Sequence, residues 1–138
     1  MDEKKKKILW IDDDVNNPEL LPDRDALEER GCIITPVTTP DVLNDIEISL
    51  YDCIIIDLFL PVGTTMSLEE TQYGSRTGFV LSKRIKEQFP KSIIVVYSVF
   101  DLPDVREYCN NKSIQYWKKS EYNNSDVFAE NIINLING

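Results

Sequence analysis

Three short apolar runs constrain this chain more than anything else in it: Ile8-Leu9-Trp10-Ile11, Cys53-Ile54-Ile55-Ile56 and Ile93-Ile94-Val95-Val96. Each is apolar at every position, so neither face of the strand it forms is made for water. Such strands belong in the middle of a parallel sheet with helices packed on both sides. The second run stops abruptly at Asp57, and Leu58-Phe59-Leu60-Pro61 turns the chain away. A carboxylate at the carboxyl end of a central strand sits where open α/β sheets bind ligands.

The rest of the sequence alternates strand and helix patterns. Strands are predicted at Lys7 to Ile11, Cys32 to Val37, Cys53 to Ile56, Ser92 to Tyr97 and Ser113 to Trp117. A helix after the first strand runs to about Arg30, with Pro18 or Pro22 in its first turn and Gly31 as its stop. Thr39-Pro40-Asp41 reads as the capped start of a second helix, with Leu43, Ile46 and Leu50 on one face. Gly78 to Phe89 forms a third, a short fourth begins at Asp101-Leu102-Pro103-Asp104, and a fifth begins near the cap residue Ser125. Strict alternation implies a parallel sheet. Strands two and five carry polar residues (Thr35; Ser113 and Gln115) and read as edges, which fits the flavodoxin-like order 2-1-3-4-5. Residues 1–138 are expected to form a single domain, interrupted by a long polar insertion at about 62–77.

Composition narrows the chemistry. Twenty-four acids against 15 lysines and arginines leave a formal net charge of −9, so nucleic acid and anionic membranes are not expected partners. The lysines before Ile8 lead into only four apolar residues, too few for a signal peptide or a membrane span. Cys32, Cys53 and Cys109 match no zinc or redox spacing and read as reduced thiols of a cytoplasmic protein. With no histidine in the chain, any metal is held by oxygen, which points to a hard cation such as Mg²⁺.

The predicted topology brings several reactive side chains to one edge of the sheet. Strand one delivers Asp12 and Asp13, strand three Asp57, strand four Ser98 and strand five Lys119. Three close carboxylates repel one another unless a cation joins them. Mg²⁺ takes a few carboxylates and keeps other positions for water or phosphate oxygens. An ammonium and a hydroxyl suit phosphoryl oxygens, and a central carboxylate can act as a nucleophile that becomes an aspartyl phosphate.

Ile8 to Asp13, Asp57-Leu58-Phe59-Leu60-Pro61, Ile93 to Ser98 and Tyr116-Trp117-Lys118-Lys119 follow one another in the order and at the distances of a known family. The sequence resembles the receiver domain of two-component response regulators over nearly its whole length. The resemblance implies that Asp57 takes a phosphoryl group from a histidine kinase or a histidine phosphotransfer protein. It implies that Asp12, Asp13 and Asp57 hold Mg²⁺ with the Phe59 backbone carbonyl. Ser98 and Lys119 would contact the phosphoryl oxygens, and Tyr116 would be the aromatic switch residue, moving inward as Ser98 shifts. A downstream protein would read the change on the face formed by the fourth helix, fifth strand and fifth helix. No output domain is expected after Gly138, so action by protein contact or phosphate relay is expected, not DNA binding or turnover of a separate substrate.

Three departures from the family pattern stand out. Ser120 replaces the proline usual after the lysine, Val99 occupies a position usually held by a small residue, and the stretch Val62 to Arg76 is much longer than the usual connection. Two other functions compete. A receiver-like interaction module would never be phosphorylated. A haloacid-dehalogenase-type phosphohydrolase would use Asp12 as nucleophile, in the Asp-x-Asp pattern of Asp12-Asp13-Asp14, and would leave Asp57 without a task.

Overall fold

The computed structural model describes residues 5–41, 45–122 and 124–138. Five strands, β1 (Lys6–Ile11), β2 (Cys32–Val37), β3 (Cys53–Ile56), β4 (Ile94–Ser98) and β5 (Gln115–Lys118), form one parallel sheet in the order β2-β1-β3-β4-β5. Among the described residues, four α-helices accompany them: α1 (Leu21–Glu29), α2 (Thr77–Gln88), α3 (Pro103–Asn111) and α4 (Ser125–Asn137). None of the described helices is long and apolar enough to cross a membrane.

The two-residue period of the central strands sorts the core into two layers. Leu9, Ile11, Ile54, Ile56, Ile94 and Val96 face Leu81 and Ile85 of α2 and Val105 and Cys109 of α3. Their neighbours Ile8, Trp10, Cys53, Ile55, Val95 and Tyr97 face Ala26 and Leu27 of α1 and Phe128, Ala129 and Ile132 of α4. β2 and β5 take the edges that Thr35 and Gln115 marked, whereas Ser113 lies at positive φ in the turn before β5, which starts at Gln115 rather than Ser113. Pro36 sits on β2, which pairs on one side only. All three cysteines are buried and free.

Local chemistry moves several boundaries. β4 begins and ends later than its apolar run suggests, because its pairing with β3 starts at Ile94 and its pairing with β5 carries it through Ser98. α1 starts at Leu21 with Pro22 in its first turn, where no amide partner is needed. Asn124, rather than Ser125, caps α4: its Oδ1 accepts from the amides of Asp126 at 2.9 Å and Val127 at 3.3 Å.

No α-helix appears between β2 and β3 among the described residues, which corrects the expected second helix. Thr39 Oγ1 accepts weakly from the Asp41 amide at 3.4 Å, as a cap does. However, the segment reaches β3 through a 3₁₀ turn, Ile48–Leu50, with Ile48 buried and Leu50 59% exposed rather than on a core face. Leu43 lies outside the described residues.

The insertion is packed rather than loose. Ser67 and Glu70 form a reciprocal capping box: the Ser67 amide donates to Glu70 Oε2 at 2.8 Å, and the Glu70 amide to Ser67 Oγ at 3.0 Å. Met66 and Thr71 are buried, and Met66 joins the α2–α3 layer of the core. Arg84 of α2 donates to the Thr65 carbonyl at 3.0 Å and to Glu70 Oε1 at 2.9 Å. Thr64 donates from its amide to Asp41 Oδ1 at 2.8 Å, tying the insertion to the segment that follows β2. Gln72, Tyr73 and Gly74 all take positive φ, turning the chain back toward α2.

Candidate functional site

Strand register places the reactive groups at one level. Ile11 pairs with Ile56, Ile56 with Val96, and Ser98 with Lys118. Asp12 and Asp57 therefore each stand one residue past a paired row, and Lys119 one residue past β5. Two backbone bonds fix the acids: the Asp12 amide donates to the Val37 carbonyl and the Asp57 amide to the Ile11 carbonyl, both at 2.9 Å.

The side chains converge as the topology requires. Carboxylate oxygens of Asp12, Asp13 and Asp57 all lie within 4.8 Å of one another. Lys119 Nζ donates to Asp12 Oδ2 at 2.9 Å and stands 3.9 Å from Asp57 Oδ1. Asp12 is fully buried, Asp57 is 7% exposed, and Asp13 faces solvent. Asp12 Oδ1 also accepts from the Asp14 amide at 2.8 Å, closing the acidic turn after β1. Asp13, Asp14, Asp57, Phe59, Val99, Phe100 and Lys119 line a cleft of about 300 Å³.

One ammonium does not balance three carboxylates. Burial, and then the Asp12 charge, push the Asp57 carboxyl up to about 7, while Lys119 pulls the other way. Burial, then Asp14 and Asp12, also raise Asp13. A group of oxygen donors with this excess of negative charge fits a hard divalent cation. Phe59, two residues after Asp57 in the turn, lines the same cleft.

Ser98 and Tyr116 meet on one short loop. Ser98, the buried last residue of β4, accepts from the Phe100 amide at 3.2 Å through its Oγ. The Tyr116 hydroxyl donates to the Phe100 carbonyl at 2.6 Å and accepts from the Leu102 amide at 3.1 Å. Tyr116 already lies inward, 6% exposed, with the Arg106 guanidinium 4.6 Å above its ring. Val99 stands on the rim of the cleft, 57% exposed. With Ser120 in place of a proline, Lys119–Glu121 coil into a 3₁₀ turn closed by the Tyr122 amide on the Lys119 carbonyl.

Two residues at the site escape a reading of the sequence by motif. Phe100 packs edge-to-face on Phe59, with centroids 4.5 Å apart, and the pair forms the apolar wall of the cleft. The signal was the apolar pair Val99-Phe100 in a loop, where polar residues are the rule. Gly78 is the other. It is buried at the start of α2, directly against the backbone of Asp57 and Leu58. Gly78 stands in the first turn of α2, where a glycine is ordinary, so nothing in the sequence singles it out.

No family model matches the chain, and no curated protein does. Solved structures do. A CheY-like response regulator receiver domain from Methanospirillum hungatei JF-1 superposes with a TM-score of 0.74 at 19% identity, over 97% of this chain and 95% of its own. A BeF3-activated DrrB receiver domain gives 0.71 at 19% identity, over 98% and 100% of the two chains. The response regulator TrrA from Thermotoga maritima, in complex with Mg²⁺-BeF, gives 0.67 at 23% identity, over 94% and 98%. The chain has the fold of response regulator receiver domains.

Proposed function

We propose that this protein is a phosphoacceptor of two-component signalling, with residues 1–138 as one cytoplasmic receiver domain and Asp57 as the residue that is phosphorylated. The observation that carries the reading is the meeting of Asp12, Asp13, Asp57 and Lys119 in one cleft at the carboxyl edge of the sheet. An Asp57 carboxylate oxygen forms the new P–O bond as the P–N bond of a phosphohistidine breaks, and the leaving imidazole keeps that electron pair. The donor is a histidine kinase or a histidine phosphotransfer protein. Asp12, Asp13 and Asp57 would hold Mg²⁺, with the Phe59 carbonyl as a further ligand. Mg²⁺ there would neutralise charge on the phosphoryl oxygens. Lys119 would turn from Asp12 toward one of those oxygens, and Ser98 toward another.

The signal then passes along the loop. If Ser98 Oγ leaves the Phe100 amide for the phosphoryl group, the loop that Tyr116 holds through the Phe100 carbonyl and Leu102 amide must rearrange. This shifts the balance between two packings of the α3–β5–α4 face, and a protein partner reads the result. The protein acts only on its own Asp57. The competing phosphohydrolase reading needs Asp12 as nucleophile, yet Asp12 is fully buried and both its oxygens are already bonded, to the Asp14 amide and to Lys119.

The test is intact-mass measurement after acetyl phosphate, with and without Mg²⁺, on this chain and on Asp57→Asn. One phosphoryl group on the parent with Mg²⁺ and none on the variant supports the reading. Label that survives Asp57→Asn and maps to Asp12 overturns it. A parent that takes up neither a phosphoryl group nor beryllofluoride with Mg²⁺ is an interaction module instead.

A further inference from the structure

The place of Lys119 depends on more than its acidic neighbours. Its backbone turns through a 3₁₀ segment that contains no proline, so the chain alone does not fix where the long side chain points. Yet the ammonium is largely withdrawn from water, with the Lys119 side chain 16% exposed. The ammonium lies over the face of Tyr97, with Nζ 5.7 Å from the ring centroid.

That ring is immobilised from several sides. Tyr97 is 2% exposed on β4. It stacks on Phe128 of α4 at 4.6 Å and meets Trp10 edge-on at 6.2 Å and Tyr122 at 6.1 Å. Tyr122 is backed in turn by Trp117, stacked at 5.0 Å. The Tyr97 hydroxyl donates to Asp23 Oδ2 of α1 at 3.2 Å. A ring held this way presents the negative face of its quadrupole to the ammonium in a place shielded from water, where the attraction is strongest.

We infer that Tyr97 is a positioning residue for Lys119: its ring face, held by its packing on Phe128, Trp10 and Tyr122, keeps the ammonium between Asp12 and Asp57. The inference rests on the phosphoacceptor reading for its consequence, and on the ring-to-ammonium geometry for its substance.

Two measurements decide it. The Lys119 ε-methylene protons, assigned by NMR on the full chain, lie upfield of the ordinary lysine position in the parent and in Tyr97→Phe, and return to that position in Tyr97→Leu. Beryllofluoride affinity at saturating Mg²⁺ falls by at least about fivefold in Tyr97→Leu, whereas Tyr97→Phe retains most of it. Mg²⁺ affinity alone stays within about twofold in both variants, because neither side chain is a ligand. Ordinary ε-methylene shifts in the parent overturn the proposal without any variant, which covers the case of Tyr97→Leu failing to fold. A folded Tyr97→Leu that keeps the parent's beryllofluoride affinity overturns it as well. If the parent takes up no beryllofluoride, the phosphoacceptor reading falls, and the positioning claim is decided by the ε-methylene shifts alone.

Discussion

The backbone of Gly78 lies directly against that of Asp57. The Gly78 amide donates to the Leu58 carbonyl at 3.0 Å, and a methyl group on its Cα would overlap the Asp57 carbonyl oxygen. The start of α2 and the loop that carries the candidate phosphoacceptor therefore approach as closely as two backbones can, and only glycine permits it.

Gly78→Ala consequently forces α2 or the Asp57 loop to move. Overpacking of this kind costs about 1–3 kcal/mol, and the upper end is expected because the obstruction is backbone. Urea unfolding measures it. The site is disturbed together with the fold, so Mg²⁺ affinity falls in parallel. An unchanged unfolding midpoint would mean that the close approach is not real.

Asp12 is fully buried, and Lys119 Nζ donates to it at 2.9 Å. Lys119→Met removes that cation and leaves the acid with a backbone amide alone. Breaking a buried pair on one side costs about 3–5 kcal/mol, and the lower end is expected because the site opens into the cleft. Added Mg²⁺ restores part of the loss by bringing positive charge back. Thermal unfolding with and without Mg²⁺ tests this; a variant as stable as the parent without the metal would show that the pair holds nothing together.

These two relationships differ in how far the sequence reveals them. The strand ends are legible because an apolar run that stops at a single acid, as the one before Asp57 does, has few other meanings, and the three apolar runs together fix the level at which Asp12, Asp57 and Ser98 emerge. Lys119 is harder to separate from Lys118 by pattern. β5 decides between them: Lys118 is still paired with Ser98, and Lys119 follows it to the site. Gly78 is not legible because a glycine near a helix start has many harmless explanations, and its reason is a contact with a backbone 21 positions earlier. The helix expected after β2 fails because capping signals at Thr39 and Pro40 are local, while the chain must place Ile48 in the core before entering β3. The insertion is polar by composition, and nothing in its composition reveals that Met66 is drawn into the core.

Met66 supplies a direct test of that packing. It is 8% exposed and lies against the α2–α3 layer. Met66→Ala is expected to cost about 2 kcal/mol, the low end for truncating a buried methionine, read as a shift in the urea midpoint. Filler that merely hangs from the fold would tolerate the change with no shift. The same variant makes the 62–76 segment more open to limited proteolysis, because its buried anchor is gone.

Asp23 sets a pH dependence of stability away from the acidic cleft. It is 7% exposed on α1, and the Tyr97 hydroxyl donates to its Oδ2 at 3.2 Å. Burial raises its carboxyl above the usual range, against the opposing effects of the Ser125 and Tyr97 hydroxyls and of Lys119. A carboxyl whose folded value lies above its unfolded value binds a proton more tightly when folded. Its contribution to stability is therefore fully present below the unfolded value and is lost as pH rises through the folded one. Asp23→Asn keeps an acceptor for the Tyr97 hydroxyl and removes the charge. The variant should match the parent's melting temperature in acid, where Asp23 is protonated, and exceed it near neutral pH. Melting curves across that range, taken without Mg²⁺ for both proteins, isolate the effect because the carboxylates of the cleft are common to both. A variant less stable than the parent at neutral pH would mean that the ionised Asp23 is held by its hydroxyl donors more strongly than burial penalises it.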